Sequence, residues 1–523
     1  MSAPTDTGAK LAANGLEADG PATAGSPVLP KRPERGQEIE LRIDSLAHGG
    51  EGVGRLGDIP SGAGTGGYVV FVSGAVPGDR ARAVVAKRKR SYAHARVVEI
   101  LEPSSERIPP VADHPGVAWQ VLPYERQLSI KAEQVHDALR RIGRLDGFEM
   151  EAIVPALEQW RYRNKLEYSF GEASGDDADD GAGASSPADD PARSNDDRGA
   201  LVCGFHAPGG WKRVDPIEDC LLASPDGNRA REIALEWARA QGLRAWDRRR
   251  ESIAQGALLL RNLVVREGRH SGVLQVRLVT TDGELDVPSL AAALAAELGE
   301  SKLSGVLWTR SSSLAETTAG GETELVWGEA ELPERLGELD LSISSEAFFQ
   351  TNTEMAEVLY GIVADYAALE GWERVYDLYS GIGTIALTLA PRAGELWGIE
   401  IIEQAVADAI AAAKRNEITS AHFFAGDARL ALPELIERAG RPDVVVVDPP
   451  RAGLSQKVVR RIIEAAPKRI VYVSCNPTTL APDAAAFAEA GWRLERVSPV
   501  DMFPQTPHIE CVAVLARHPA AQR

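Results

Sequence analysis

At 523 residues the chain exceeds what one ordinary core organises, so two to four domains are expected. A hydrophobic content of 44% and a charged content of 25% exclude a fibrous or wholly disordered protein, and no apolar run is long enough to cross a membrane. The net charge of −19 argues at first against a nucleic-acid partner, yet the charge is uneven: "GDDADDGAGASSPADDPARSNDD" (175–197) holds much of the acid, whereas Lys and Arg gather in "RARAVVAKRKRSYAHAR" (80–96) and "WRYRNK" (160–165).

Residues 1–34 are rich in Ala, Gly, Pro and Thr without periodicity, and a disordered tail is expected there. The N-terminus carries no apolar signal core, so a cytoplasmic protein is expected. Between 35 and 105, short alternating runs such as "EIELRIDSLA" and "YVVFVSGAV" are separated by glycine-rich turns and predict a small β-barrel. The basic stretches read either as solvated surface or as RNA contacts. The interleaved aromatics Tyr92, Trp160 and Tyr162 favour RNA, which binds through charge and stacking together.

The spacing of Leu128, Val135, Leu139 and Ile142 predicts a helix over 124–143, with Gly143 as its stop. Residues 106–340 then read as a central α+β domain with an acidic insertion near 172–199. From 341 to 523 strands and helices alternate, which implies a parallel sheet covered on both faces and a ligand beyond the carboxyl ends of its strands.

Those strand ends carry the candidate chemistry. "DLYSGIGT" (377–384) sets Gly381 and Gly383 in a tight strand-to-helix turn that lets backbone approach a ligand, although a GxG alone could equally serve a dinucleotide. Glu400 ends the next strand in "GIE" and suits the two hydroxyl donors of a ribose diol. Asp427, in "GDA", could face an adenine or a solvated turn. "VVVVDPPRAGL" (444–454) places Arg451 where enzymes methylating base amino groups have an aromatic residue, so an exocyclic amine is disfavoured as target.

Four cysteines are present, Cys203, Cys220, Cys475 and Cys511, and no two form a CxxC pair. That argues against a disulfide framework and against a zinc ribbon or Cys-ligated cluster made by this chain alone. Cys475 stands at a strand tip in "VSCNPTTLAPD" (473–483), and Glu510 precedes the final strand in "PHIECVAVL" (507–515). A thiol, a base and a methyl donor in one pocket are what carbon methylation of uracil demands. Thiolate addition at C6 makes C5 nucleophilic, and a base must remove the C5 proton before the thiolate leaves. Cys511 should point to the opposite face from Glu510 and be structural. Cys203 and Cys220 read as core or loop thiols.

Taken in order, "FFQTN", "DLYSGIGT", "GIE", "DPPRAGL", "VSCNPTTLAPD" and "PHIECVAVL" resemble the RNA (uracil-5-)-methyltransferase family. The resemblance spans nearly the whole chain outside the tail and the insertion. It implies a multidomain α/β protein: an N-terminal OB-like barrel of the TRAM type, an RNA-binding central α+β domain, and a C-terminal Rossmann-like class I methyltransferase domain. It further implies S-adenosyl-L-methionine as cofactor, with Gln350, Tyr379, Glu400 and Asp448 contacting it and Thr384 and Asp427 at less constant positions. Cys475 would be the nucleophile and Glu510 the general base. The helix from Tyr124 would pack onto the methyltransferase domain.

Many relatives carry a [4Fe–4S] cluster on four cysteines, three of them just before this helix. Here "PPVADHPGVAWQVLPYERQ" has none, so no iron–sulfur cluster is expected, and Trp119 is expected to help pack that region. RNA is the implied partner, ribosomal RNA in preference to transfer RNA, with the enzyme a monomer. A 5-methylcytosine RNA methyltransferase and a non-catalytic RNA-binding protein are the competing readings.

Overall fold

The computed structural model describes residues 32–57, 67–173, 199–207, 213–246, 258–313, 315 and 317–517. The expected disordered tail and acidic insertion lie almost wholly outside the described residues.

The N-terminal strands Glu38–Leu46, Gly52–Leu56, Tyr68–Ser73, Arg80–Arg88 and Tyr92–Glu102 close into a barrel. Strict alternation builds it. Ile39, Leu41, Ile43, Val70, Val72, Ala83, Val85, Ala93 and Ala95 point inward, and the alanines let five strands close around a small core. Outside, Arg80 pairs with Glu102 and Glu40, and Arg82 with Glu99. Two of the six cations in "RARAVVAKRKR", Arg80 and Arg82, are therefore neutralised on the barrel itself.

The helix Tyr124–Asp137 runs on through a π-helical turn, Ala138–Ile142. Val135 and Leu139 are buried as expected, but Ile142 is 51% exposed, and Gln127 and Lys131 are buried instead. The reason is a polar dock. The Lys131 ammonium donates to Asp501 at 2.6 Å, and the Gln127 amide donates to the Gln505 side chain at 2.8 Å. Trp119 joins Leu46 and Val76 of the barrel to Leu122 and Ile130, so one small apolar cluster welds barrel and helix. Next to it, the Gln120 side-chain oxygen accepts from Val111 N–H at 2.8 Å, and a His114 ring nitrogen lies 3.3 Å from the Cys220 sulfur. These contacts hold the loop preceding the helix.

The central domain is a seven-stranded sheet from Lys165–Glu172 to Glu322–Gly328. The helices Pro225–Ala240 and Val287–Leu298 bury Ala230, Ile233, Trp237, Leu290 and Leu294 against it, and Cys203 and Cys220 lie in the same core. "WRYRNK" departs from the expected RNA-stacking surface. Tyr162 is fully buried and donates its hydroxyl to Pro504 C=O at 3.0 Å, Arg161 pairs with Asp219, and Asn164 donates to Gln350 C=O at 2.8 Å. The stretch ties the central sheet to the C-terminal domain.

The C-terminal sheet has eight strands. Ala421–Ala425, Glu395–Glu400, Arg374–Leu378, Val444–Val447 and Arg469–Ser474 run parallel in that spatial order. Glu510–Arg517 follows antiparallel, then Trp492–Val500 and, at the edge, Glu149–Met150. Chain order reverses on either side of Arg374–Leu378, which is where open α/β sheets form a ligand crevice. The ribbon Leu332–Leu336 with Leu339–Ile343 buries its leucines in the core of this domain. The boundary expected at 341 falls inside the second strand of that ribbon.

Candidate active site

One cavity of about 1110 Å³ opens along the carboxyl ends of these strands. At one end the chain leaves Arg374–Leu378 through Tyr379, Gly381 and Gly383, all with positive φ (70°, 55° and 81°). A Cβ at Gly381 would meet nothing within 4 Å, so the glycine leaves backbone open to the cavity. A Cβ at Gly383 would lie 2.8 Å from Phe423, so this one is required by packing as well. The Glu400 carboxylate accepts from Gly381 N–H at 3.0 Å and from Ile402 N–H at 2.9 Å. It is thereby fixed at the cavity wall with acceptor capacity remaining on both oxygens. Asp377 lies buried at the end of its strand, and burial, with Asp448 and Glu400 adding, drives its carboxyl well above the usual range.

The other end is made by strand direction. Because Glu510–Arg517 runs antiparallel to Arg469–Ser474, its first residues meet the last residues of its neighbour, and Ser474 pairs with Cys511. One step further in this register sets Cys475 across from Glu510, and both line the cavity. Alternation sends Cys511 the other way: it is fully buried, its thiol directed at Ser474 C=O at 3.6 Å. Asn476 caps the helix Pro477–Glu489 and donates to Arg451 C=O at 3.0 Å, which ties the Cys475 turn to the Asp448–Arg451 turn.

Electrostatically this end holds its protons. Burial pushes the Cys475 thiol up to about 11, with Glu510 and Asp448 adding to the rise and Arg451 opposing it. Burial, then Asp448, drives Glu510 well above the ordinary carboxylate range. Asp448 is pushed by burial up to about 7. His508 goes the other way, to about 4, through burial and then the positive charge of Arg451 and Arg163.

The family model described as tRNA (uracil-5-)-methyltransferase matches residues 332–518, and the TRAM domain model matches 32–98. An uncharacterized RNA methyltransferase of Halalkalibacterium halodurans is 33% identical over 482 residues, covering 91% of this chain and 96% of that protein. Another from Chlorobaculum tepidum is 36% identical over 501 residues, covering 93% and 98%. The chain belongs to the RNA (uracil-5-)-methyltransferase family. A solved structure points the same way: the Pyrococcus abyssi tRNA (uracil-54, C5)-methyltransferase in complex with S-adenosyl-L-homocysteine superposes with a TM-score of 0.66 at 26% identity, covering 91% of this chain and all of that one.

As an RNA (uracil-5-)-methyltransferase the protein uses S-adenosylmethionine, and the glycine-turn end of the cavity fits that molecule. The open Gly381 backbone and the fixed Glu400 carboxylate offer the close approach and the acceptors that a nucleoside needs. The barrel and the family make RNA the substrate class. Among the described residues no helix is long and apolar enough to cross a membrane.

Of the residues singled out from sequence, Gln350, Tyr379, Gly381, Glu400, Asp448, Cys475 and Glu510 line the cavity. Gly383, Thr384 and Asp427 do not. Thr384 is buried with its hydroxyl 3.1 Å from that of Tyr360, and Asp427 caps the helix Ala428–Ala439 and holds Arg429. Sequence reading missed Arg163, Phe348, Asp408 and His508, which also line the cavity. Phe348 had a signal: an exposed aromatic (71%) in "FFQTN" beside the core residue Phe349. Asp408 had none, since it sits mid-helix in an alanine-rich run and meets Ser344 at 2.6 Å only in the fold.

Proposed function

We propose that this protein forms 5-methyluridine in RNA through a transient bond between Cys475 and uracil C6. The Cys475 thiolate adds to C6 and the electron pair moves to C5, which takes the methyl group from the sulfonium. S-adenosylhomocysteine leaves. Glu510, by then ionised, removes the C5 proton, and the C6–S bond breaks to restore the ring and the thiolate. Gln350, Tyr379, Gly381, Glu400 and Asp448 would hold S-adenosylmethionine, with Gly383, Thr384 and Asp427 shaping the turns behind it. The observation that carries this reading is the antiparallel register that sets Cys475 across from Glu510 in the cavity shared with Glu400 and Gly381.

Ribosomal RNA, 23S in particular, is the favoured substrate, because bacterial family members with an N-terminal barrel mostly act on ribosomal RNA. Transfer RNA is the second reading, supported by the named activity of the Pyrococcus abyssi neighbour. The test is labelled-methyl transfer to ribosomal and transfer RNA fractions from cells lacking the protein, followed by nucleoside analysis. Label in 5-methyluridine of the ribosomal fraction is expected. Label only in the transfer RNA fraction would move the substrate, and label in 5-methylcytosine would overturn the chemistry.

A further inference from the structure

We infer that Asp483, which stands outside the cavity, is a positioning residue for methyl transfer: it clamps the Asp448–Leu454 turn, and with it Arg451, onto the strand and helix that flank Cys475. The inference rests on the functional reading above and gives its thiol end an anchor.

Asp483 closes the stretch "VSCNPTTLAPD" and lies inside the helix Pro477–Glu489, directly after Pro482. Neither residue favours a helix interior, so contacts from outside the helix must hold the carboxylate there. It is 5% exposed. Its Oδ2 atom accepts from Leu454 N–H at 2.9 Å and from the Tyr472 hydroxyl at 2.8 Å. Three segments meet on that atom. Tyr472 brings the strand Arg469–Ser474, which runs into Cys475; Asp483 brings the helix that follows Cys475; Leu454 brings the end of "DPPRAGL". Leu454 and Tyr472 both lie in the core, so without the carboxylate their N–H and O–H donors would be buried unmet.

The same helix face repeats the contact. Asn476, Thr479 and Asp483 recur at helical spacing. Asn476 donates to Arg451 C=O at 3.0 Å, and the Thr479 hydroxyl lies 3.4 Å from the same oxygen. Gly453, with φ of +74°, packs so closely that a Cβ there would lie 2.9 Å from the Thr479 Cβ and 3.0 Å from the Asp483 carboxylate. The helix thus grips the turn on both sides of Gly453. Asp448 directly follows the strand Val444–Val447 and is placed by it. Arg451 stands three residues further out, exposed on the cavity wall, and depends on the grip. Glu510, Asp448 and Arg451 are the charged groups that bear on Cys475, and of these Arg451 favours the thiolate. Releasing the turn therefore withdraws the charge that helps the thiol react.

The test uses the full-length enzyme, in which Cys203, Cys220 and Cys511 are buried and Cys475 is not. Asp483→Ala should slow iodoacetamide alkylation of Cys475 about threefold at pH 8, and single-turnover methyl transfer to total RNA from cells lacking the protein by at least as much. A merely loosened site would expose the thiol and speed its alkylation, so the sign separates positioning from loss of structure. Asp483→Asn keeps an acceptor oxygen and should recover most of both rates. Gly453→Ala, which pushes the turn away without touching the carboxylate, should reproduce the loss. Tyr472→Phe removes one hydroxyl and keeps the ring; it should slow alkylation by a smaller factor, and it decides the matter if Asp483→Ala does not fold. In the double variant with Arg451→Gln, alkylation should be no slower than in Arg451→Gln alone. Faster or unchanged alkylation in the Asp483 and Gly453 variants, or additive losses in the double variant, would overturn the clamp. Absence of methyl transfer by the wild-type enzyme would instead remove the functional reading beneath it, and the alkylation rates would still decide the clamp.

Discussion

The two ends of the cavity are built on opposite principles. At the glycine-turn end the Glu400 carboxylate is already met by two backbone N–H groups, and the turn is locked by positive-φ residues and the packing of Gly383 on Phe423. At the thiol end three ionisable groups, Cys475, Glu510 and Asp448, are crowded together, and each is held toward its protonated form. The positive charge of Arg451 opposes this for both Cys475 and Glu510. The difference teaches a division of labour. The first end is preorganised to bind, while the second needs charge from its ligands before it can react.

Breaking the thiol end alone should produce the largest effect. Cys475→Ala is expected to lower turnover by roughly a thousandfold or more while S-adenosylhomocysteine binds with unchanged affinity. Single-turnover methyl transfer and calorimetry read the two quantities separately. Normal turnover in Cys475→Ala would sink the adduct. Glu510→Gln should also be nearly inactive, but with a different signature: a protein–RNA species carrying the methyl group should survive denaturation, because the C5 proton is not removed.

Disturbing the other end should move binding and leave the thiol untouched. Glu400→Gln keeps one acceptor oxygen and loses the charge, so affinity for S-adenosylhomocysteine should fall about tenfold. The rate of Cys475 alkylation in the free protein should not change. A parallel loss in both measurements would mean that the two ends are one coupled unit.

What the sequence made legible follows the same division. Strand tips announce themselves through an apolar run that ends at a polar residue (Glu400, Asp448, Cys475) or starts from one (Glu510), so all four could be found by position, and the cavity contains all four. Gly381 and Gly383 were legible because positive φ demands them. Residues brought in by docking were not. Arg163 reaches the cavity only because Tyr162 and Asn164 are anchored to Pro504 and Gln350, far along the chain. Asp427 was ambiguous for a local reason: a carboxylate followed by a helix is as good a cap as a ligand, and here it caps the helix Ala428–Ala439. The buried Gln127 and Lys131 broke the apolar periodicity of their helix because their partners, Gln505 and Asp501, lie some 370 residues away.

The protonated state of the thiol end can be measured directly. Cys203, Cys220 and Cys511 are buried, so iodoacetamide should modify Cys475 selectively in the folded protein. With the thiol pushed up to about 11, alkylation should be slow at pH 7 and climb about tenfold per pH unit well beyond pH 9. A nucleoside cofactor analogue bearing a positive charge in place of the sulfonium should shift that profile to lower pH, and uncharged S-adenosylhomocysteine should not. A midpoint near 8.5 in the free protein would remove the need for ligand charge.

The smallest effect concerns stability. The Asp448 carboxyl has an ordinary value of 3.8 and stands at about 7 in the folded protein. The folded state therefore binds this proton more tightly than the unfolded chain between those two values. Linkage then makes stability greatest below pH 4 as far as this group is concerned, and makes it decline as pH rises toward 7. Asp377 and Glu510, shifted in the same direction, add to the trend. Asp448→Asn removes the cost of a buried charge, so its Tm should exceed that of the wild type by a few degrees, about 2–4 °C per kcal/mol for a domain of this size. The gain should appear at pH 8 and vanish near pH 4, while methyl transfer is lost. An Asn variant that melts lower at pH 8 would show that the ionised carboxylate stabilises the fold, and that the thiol end is as prebuilt as its neighbour.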